Sequence, residues 1–319
     1  MNTRIKYFTL TLMVFLSVFS CKNTSDEGFS PLALVPLLAP SNTDSTCPAG
    51  YVKVPYNSAV GTNSDFCVAK FEMKCNSDVT GLACSNNPIS QSANKPWVNI
   101  TQANAIIACS SLGANYHLLT NAERMTVARN IESVAENWSS GTVNTGAINS
   151  GHNDSVPNNA LEASTDDKNC YFTGQGTSDV CSTWDSQIRT HQLSNGESIW
   201  DFAGNVIEII DWYVTPANKA YYSTDTQPVA AWIEWSLIDT NIGLSDEMKP
   251  STWQALNTTL DSTNGIGKYW AGTNTAGGVG TRGGNFAAGS SAGIYTIGLV
   301  FDQTASIATN AGFRCAYSL

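Results

Sequence analysis

The stretch Trp200-Asp-Phe-Ala-Gly-Asn-Val-Ile-Glu208 decides how this chain is read. Two acids, Asp201 and Glu208, bracket a glycine that lets the backbone turn sharply. The closing glutamate stands between Ile207 and Ile209-Ile210. A bare carboxylate is costly to bury in such company, so Glu208 calls for a positive partner. Either a cation fills that place, coordinated by mixed carboxylate and carbonyl oxygens, or a buried arginine does, with Arg282 and Arg314 as candidates. Those arginines belong to two further motifs in fixed order, Arg282-Gly-Gly-Asn-Phe286 and Gly312-Phe-Arg-Cys315. Glycines after an arginine let backbone pass close by while the planar guanidinium makes several hydrogen bonds. Arg282, Gly283, Gly284 and Arg314 therefore read as a structural motif that holds a core rather than as catalytic groups.

The start of the chain has a different character. Arg4 and Lys6 precede an uncharged, mostly apolar run from Tyr7 to Ser20, and Cys21 follows. The run is short for a membrane-spanning helix, which needs roughly 20 apolar residues, and it fits an export signal over residues 1–20. Cys21 stands where a bacterial lipoprotein would carry its lipid, with small Ser20 before it and bulky Phe19 one step earlier. Residues 21–45 have no periodic pattern and read as a lipidated cysteine and flexible tether, with an apolar patch at Leu32 to Leu38. Loss of residues 1–20 removes two basic residues and no acidic one, so the net charge moves from −10 to −12. A chain this acidic, with only 13% charged residues, has no electrostatic footprint for nucleic acid. The expected localisation is the bacterial envelope, and the expected partners are the membrane, through the anchor, and an unknown extracytoplasmic ligand.

Nine cysteines occur. With Cys21 lipidated, eight remain in an exported chain, which reads as up to four disulfides in an oxidising compartment. Residues 46–319 suffice for one large domain or two small ones, and the family resemblance that follows favours one. Phe66 to Lys74 alternates as a strand does. A first helix is predicted over about 101–112, with Ala103, Ile106, Ile107 and Ser110 facing inward and Gly113 as its stop. Thr120-Asn-Ala-Glu123 is a capping box that opens a second helix buried through Met125, Ala128 and Ile131. Residues 137–198 are dominated by Ser, Thr, Asn, Asp and Gly. Within them, Asn149 to Asp154 with Asn158, Asn159, Asp166 and Asp167 reads as a solvated loop, the alternative being a second calcium site that the family resemblance given next implies.

The three motifs, in this order, resemble the formylglycine-generating-enzyme (sulfatase-modifying factor) family over residues from about 47 to the last. Phe66 to Lys74 resembles that family's opening strand, which ends Lys-aromatic-Glu. Leu118 to Arg129 resembles its Leu-Pro-Thr-Glu-Ala-Glu-Trp-Glu-x-Ala-Ala-Arg segment, with departures at Leu119 for Pro and Arg124-Met125 for Trp-Glu. The resemblance implies an α+β, C-type-lectin-like fold with little regular secondary structure, two helices and short antiparallel strands. It implies a calcium ion held by the Asp201 side chain, the Gly204 and Val206 carbonyls and the Glu208 side chain, although Ile207-Glu-Ile replaces the usual Trp-Glu-Trp. It also implies a disulfide between Cys109 on the first helix and Cys315 on the final strand. Short separations suggest Cys75 with Cys84 and Cys170 with Cys181, leaving Cys47 with Cys67.

One departure bears on activity. Where copper-dependent members of the family carry two active cysteines, this chain reads Ala287-Ala-Gly-Ser-Ser-Ala-Gly-Ile-Tyr295, and no cysteine lies between Cys181 and Cys315. Oxidation of a substrate cysteine with copper needs soft thiolate ligands, so copper is not expected. The iron-dependent branch uses several histidines, whereas His117, His152 and His191 are the whole supply here. His191 reads as a structural hydrogen-bonder. The first reading is thus an envelope or surface lipoprotein whose non-catalytic domain binds a ligand or serves structurally. Alternatives are an oxidoreductase of the formylglycine-generating type with altered metal ligands, and a retroelement-diversified display protein with Ala287 to Asn310 as its variable surface.

Overall fold

The computed structural model describes residues 46–168, 183–215, 231–238, 257, 259–270, 277–301 and 309–319. They fall in one compact unit, Thr43–Leu319. Cys21, Cys170 and Cys181 lie outside the described residues.

Fourteen short strands and two helices make a mixed α+β architecture among the described residues. The first sheet holds β1 (Tyr51–Val54), β2 (Phe66–Ala69), β14 (Cys315–Ser318) and β5 (Tyr116–Leu118), in that order and antiparallel throughout. β3 (Met73–Cys75) with β4 (Pro88–Ser90), and β6 (Thr190–Gln192) with β7 (Ser198–Trp200), form two hairpin-like pairs. The second large sheet runs β13 (Ala311–Phe313), β8 (Ile207–Val214), β11 (Gly278–Arg282), β12 (Ile297–Phe301), β10 (Tyr269–Trp270) and β9 (Trp232–Ile233). It is not purely antiparallel, since β13 runs parallel to β8 and β10 parallel to β12. The expected opening strand is also divided, because the chain leaves the sheet at Lys70–Glu72 before resuming as β3.

β8 shows how the layers meet. Ile207 to Ile210 is buried on both faces, and then Asp211 and Tyr213 turn outward while Trp212 and Val214 stay inside. The first half therefore crosses the interior and the second half lies on it, as the switch from a continuous apolar run to alternation requires. One residue, Arg314, separates β13 from β14, so the chain end changes sheets there. A large apolar cluster, including Val54, Phe66, Met125, Ile131, Trp138, Tyr295 and Leu299, fills the space on one side. A smaller one, including Trp97, Cys109, Leu118, Ile209 and Phe313, fills the other.

α2 (Asn121–Glu132) starts where its capping box places it. Thr120 Oγ1 accepts from the Glu123 amide, and the Glu123 carboxylate accepts from the Thr120 amide. Met125, Ala128 and Ile131 are fully buried. α1 (Gln102–Ser110) exists as expected but presents a different face. Gln102, Ala105, Ala108 and Cys109 are buried, whereas Ala103 and Ser110 are exposed and Ile107 is 65% exposed. Two contacts set that rotation. Gln102 Nε2 donates to the Ile210 and Trp212 carbonyls at 2.8 and 2.9 Å, and Cys109 is covalently bound to Cys315. These anchors outweigh the burial of one isoleucine.

Three of the expected disulfides are present: Cys47–Cys67, Cys75–Cys84 and Cys109–Cys315, with Cα separations of 5.6, 5.9 and 5.5 Å. The last encloses 206 residues of sequence separation. In the chain-entropy account a loop of that length stabilises by roughly 5 kcal/mol.

Candidate functional site

The loop Asp201–Val206 joins β7 to β8 through an unusual backbone. Asp201, Gly204 and Asn205 all have positive φ, at 52°, 76° and 55°. At Gly204 a Cβ would lie 2.5 Å from the His152 carbonyl oxygen, so only glycine lets the two loops meet. Asn205 then ties the loop to its surroundings. Its amide donates to the His152 carbonyl at 2.7 Å, and its side-chain oxygen accepts from the Leu161 amide at 2.8 Å. Its side-chain nitrogen reaches Glu72 at 2.5 Å.

Both acids of the loop are held by arginines. Asp201 takes a two-pronged contact from Arg189, Nε to Oδ1 and Nη2 to Oδ2, each 2.6 Å. Arg314 Nε donates to Glu208 Oε1 at 2.7 Å, and its remaining nitrogens reach the Ala69 and Trp200 carbonyls, each at 2.8 Å. One guanidinium thus fastens the chain end to β8, to the end of β2 and to the end of β7. Arg124 stands 3.5 Å from the second Glu208 oxygen, donates to the Phe202 carbonyl and lies 3.1 Å from the Phe202 ring centroid. Burial pulls the Arg124 guanidinium well below its usual range, with Glu208 opposing the shift and Arg282 and Arg314 adding to it.

Arg314 is the hydrogen-bond partner of Glu208 Oε1, and Oε2 has none among the described residues. The donor set does not fit a calcium ion. Calcium takes six to eight oxygens, and here both expected carboxylates accept from guanidinium groups while a third cation, Arg124, faces the same glutamate. Arg124 brings this third positive charge from α2, fully buried. Of the expected ligand positions, Asp201 and Glu208 are brought to one buried cluster, and Gly204 supplies an amide to the Gly283 carbonyl at 3.2 Å. Val206 gives its amide to Glu72 Oε1 at 3.1 Å.

Arg282 is not Glu208's partner. It donates to the Tyr295 carbonyl at 3.1 Å and to Asn121 Oδ1 at 2.8 Å, and its buried Nε has no hydrogen-bond partner among the described residues. Burial lowers its guanidinium too. At Gly284 a Cβ would lie 2.6 Å from Ala292 Cα, so the double glycine lets β11's end pack directly on that segment.

Several members of the cluster carry little sequence signal. Glu72 is 1% exposed, and burial followed by the charges of Asp201 and Glu208 pushes its carboxyl well up. Lys74 beside it is drawn down to about 8 by burial and donates to the Asn94 carbonyl at 2.7 Å. Glu72 was visible only as the last residue of a Lys-aromatic-Glu run. Deeper along α2, Glu132 accepts from Arg129 and from the Tyr295 hydroxyl. Burial, then Glu132, raises the Tyr295 hydroxyl's pKa.

The loop Asn149–Asp154 corrects another expectation. Asn149, Ser150, Gly151, His152 and Asn153 are all buried, whereas Asp154, Asn158, Asn159 and Asp166 are exposed as expected. Asn149 Nδ2 donates to the Ile188 and Thr190 carbonyls at 2.8 and 3.0 Å, so its polarity is spent on backbone. Asp167 pairs with Lys70 at 2.7 Å, and Asp166 accepts from the Lys168 amide at 3.0 Å. His191 does act as a hydrogen-bonder. Its Nε2 faces the Asn149 carbonyl at 2.8 Å, which puts the proton on that nitrogen, and burial lowers its pKa to about 4. In the segment after Phe286, Ser291 to Leu299 is buried, so among the described residues up to Leu299 a variable surface is confined to Ala287–Ser290.

No family model matches the chain, and no curated protein does. Solved structures similar to it include Treponema denticola variable protein 1, at 12% identity and a TM-score of 0.33, covering 84% of this chain and 91% of that one. PvdO from Pseudomonas aeruginosa is similar at 17% identity and a TM-score of 0.34, covering 85% and 92%. Likeness at this level carries no weight for fold or function.

Proposed function

We propose that this chain is an exported, lipid-anchored envelope protein whose C-type-lectin-like domain binds a ligand and performs no oxidation of cysteine. The observation that carries the binding reading is the closed arginine–carboxylate cluster around Glu208. Arg314, Glu208 and Asp201 are buried in contacts that hold the two sheets together, which makes the three motifs scaffold and leaves recognition to the surface. The export reading is supported by three disulfides, in which Cys67, Cys75, Cys109 and Cys315 are buried and Cys47 and Cys84 half-buried, as suits an oxidising compartment. It is supported also by the apolar run that ends at Cys21.

Expression of the full chain in a Gram-negative host with labelled palmitate tests it. The label is expected on the membrane-bound protein and is expected to vanish in Cys21→Ser. A membrane fraction containing protein with an unmodified Cys21 overturns the anchor, and conversion of a sulfatase peptide by the purified chain overturns the non-catalytic reading.

A further inference from the structure

A cleft of about 390 Å³ opens beside the second motif, lined by Thr80, Leu82, Lys95, Pro96, Val98, Asn158, Asn159, Ala160, Phe286 and Thr309. Its buried lining is apolar and its exposed lining, Leu82 apart, is polar. Phe286 is stacked on His152 with ring centroids 6.2 Å apart. Its amide donates to the Asn205 carbonyl at 2.9 Å, and its own carbonyl accepts from Ser155 at 2.7 Å. The buried cluster therefore fixes the cleft's aromatic face.

The opposite wall is equally set. The Cys75–Cys84 disulfide closes the turn that bears Thr80 and Leu82. Asp78 ties that turn to Thr80 and Ala83, and the Val98 amide donates to the Gly81 carbonyl at 2.9 Å. A cleft formed before its ligand arrives does not spend binding energy on ordering its walls.

Two further features say what the cleft suits. Leu82 is 49% exposed at its lip, an apolar surface that a ligand would cover. Lys95 donates to the neutral Asn159 Oδ1 at 2.9 Å and has no ion pair among the described residues. An ammonium has three donors, so it has capacity beyond that bond. None of the lining residues is acidic, in a chain whose formal charge is −10. A lone cation beside an apolar lining is complementary to an anion that carries an apolar body.

We propose that this cleft binds a small amphipathic carboxylic acid, with its apolar part against Phe286, Val98 and Leu82 and its carboxylate on Lys95. The volume lies at the low end for small-molecule sites, which favours a free acid over the end of a longer polymer. The proposal rests on the ligand-binding reading above and gives that ligand a chemical class.

Titration calorimetry of the full chain with 4-phenylbutyrate and with its primary amide tests it. The acid is expected to bind, and the amide roughly tenfold more weakly, the worth of one charge-assisted hydrogen bond. Lys95→Met is expected to weaken the acid about tenfold and leave the amide unchanged, while Leu82→Asn weakens both. Neither side chain supports the core, and an unchanged thermal midpoint confirms that each variant is folded. Equal affinity for acid and amide, no affinity for the acid, or indifference to Lys95→Met overturns the proposal. Binding of a peptide that ends in phenylalanine without binding of the free acid overturns the assignment to a small acid. Any of these failures leaves the Cys21 labelling result standing.

Discussion

Two ion pairs of similar composition do different work in this molecule. Glu208 and Arg314 are 1% and 0% exposed, one on β8 and the other at the single-residue step where the chain end changes sheets. His117 and Glu123 lie 2.8 Å apart with side chains 30% and 12% exposed, at the cap of one helix. In the first pair both charges have left water, so each is tolerable only because the other is there. In the second, water shares the screening and the pair adjusts a helix end that Thr120 already caps. Burial, more than the identity of the charged residues, separates a strut from a trim.

The sharpest way to break the comparison is to remove the strut. Glu208→Ala leaves Arg314 and Arg124 without their carboxylate, and a loss of about 3–5 kcal/mol in denaturant unfolding is expected. A loss below about 1 kcal/mol, the range of exposed pairs, would show that burial makes no difference here. The covalent neighbour of Arg314 comes next. Replacing both Cys109 and Cys315 by alanine is expected to cost about 2–5 kcal/mol, read the same way.

At the helix cap the effects shrink. Thr120→Ala removes the acceptor for the Glu123 amide and is expected to cost about 1 kcal/mol. The His117–Glu123 pair should show itself through pH. Burial works against charge on His117, but the hydrogen bond and charge of Glu123 outweigh it, and the imidazole's pKa is raised. Its contribution is therefore fully present below the ordinary value of 6.5 and is lost as pH rises through the raised folded value. Burial likewise opposes ionisation of Glu123, yet His117 and Thr120 lower its pKa. That contribution is present above the ordinary 4.5 and is lost as pH falls through the lowered folded value. The pair thus adds most between those two ordinary values, by less than about 1 kcal/mol. The unfolding midpoint should fall as pH rises above 6.5 through the raised value of His117, and that fall should flatten in His117→Gln; an unchanged profile would remove the pair from the account.

What the sequence reveals follows the range of the physics. The start of α2 was legible because a capping box is local: Thr120 and Glu123 carry the whole signal. The inward face of α1 was not, because Gln102's bonds to β8 and the Cys109 bridge to β14 span more than a hundred residues. Pattern alone favoured Ile106 and Ile107 over Gln102. Asn149 to Asn153 read as solvated since nothing in an asparagine shows that its amide will meet the backbone of 188–190. The partner of Glu208 was left open between a metal and an arginine for the same reason. Arg124 stood in plain view as a departure from the family pattern, and its meaning came only with the distance to Glu208. The three pairings within the described residues followed partly from resemblance and partly from short separations.

Asp201 and Glu208 accept from Arg189 and Arg314, a donor set that does not fit calcium. The direct measurement is the thermal midpoint of the full chain as calcium is raised into the millimolar range. A site filled at a hundred times its dissociation constant would add about 2.7 kcal/mol of stability, enough to move the midpoint by several degrees at ordinary unfolding entropies. The expected result is a midpoint that does not move. A calcium-dependent rise that disappears in Glu208→Gln would contradict the account.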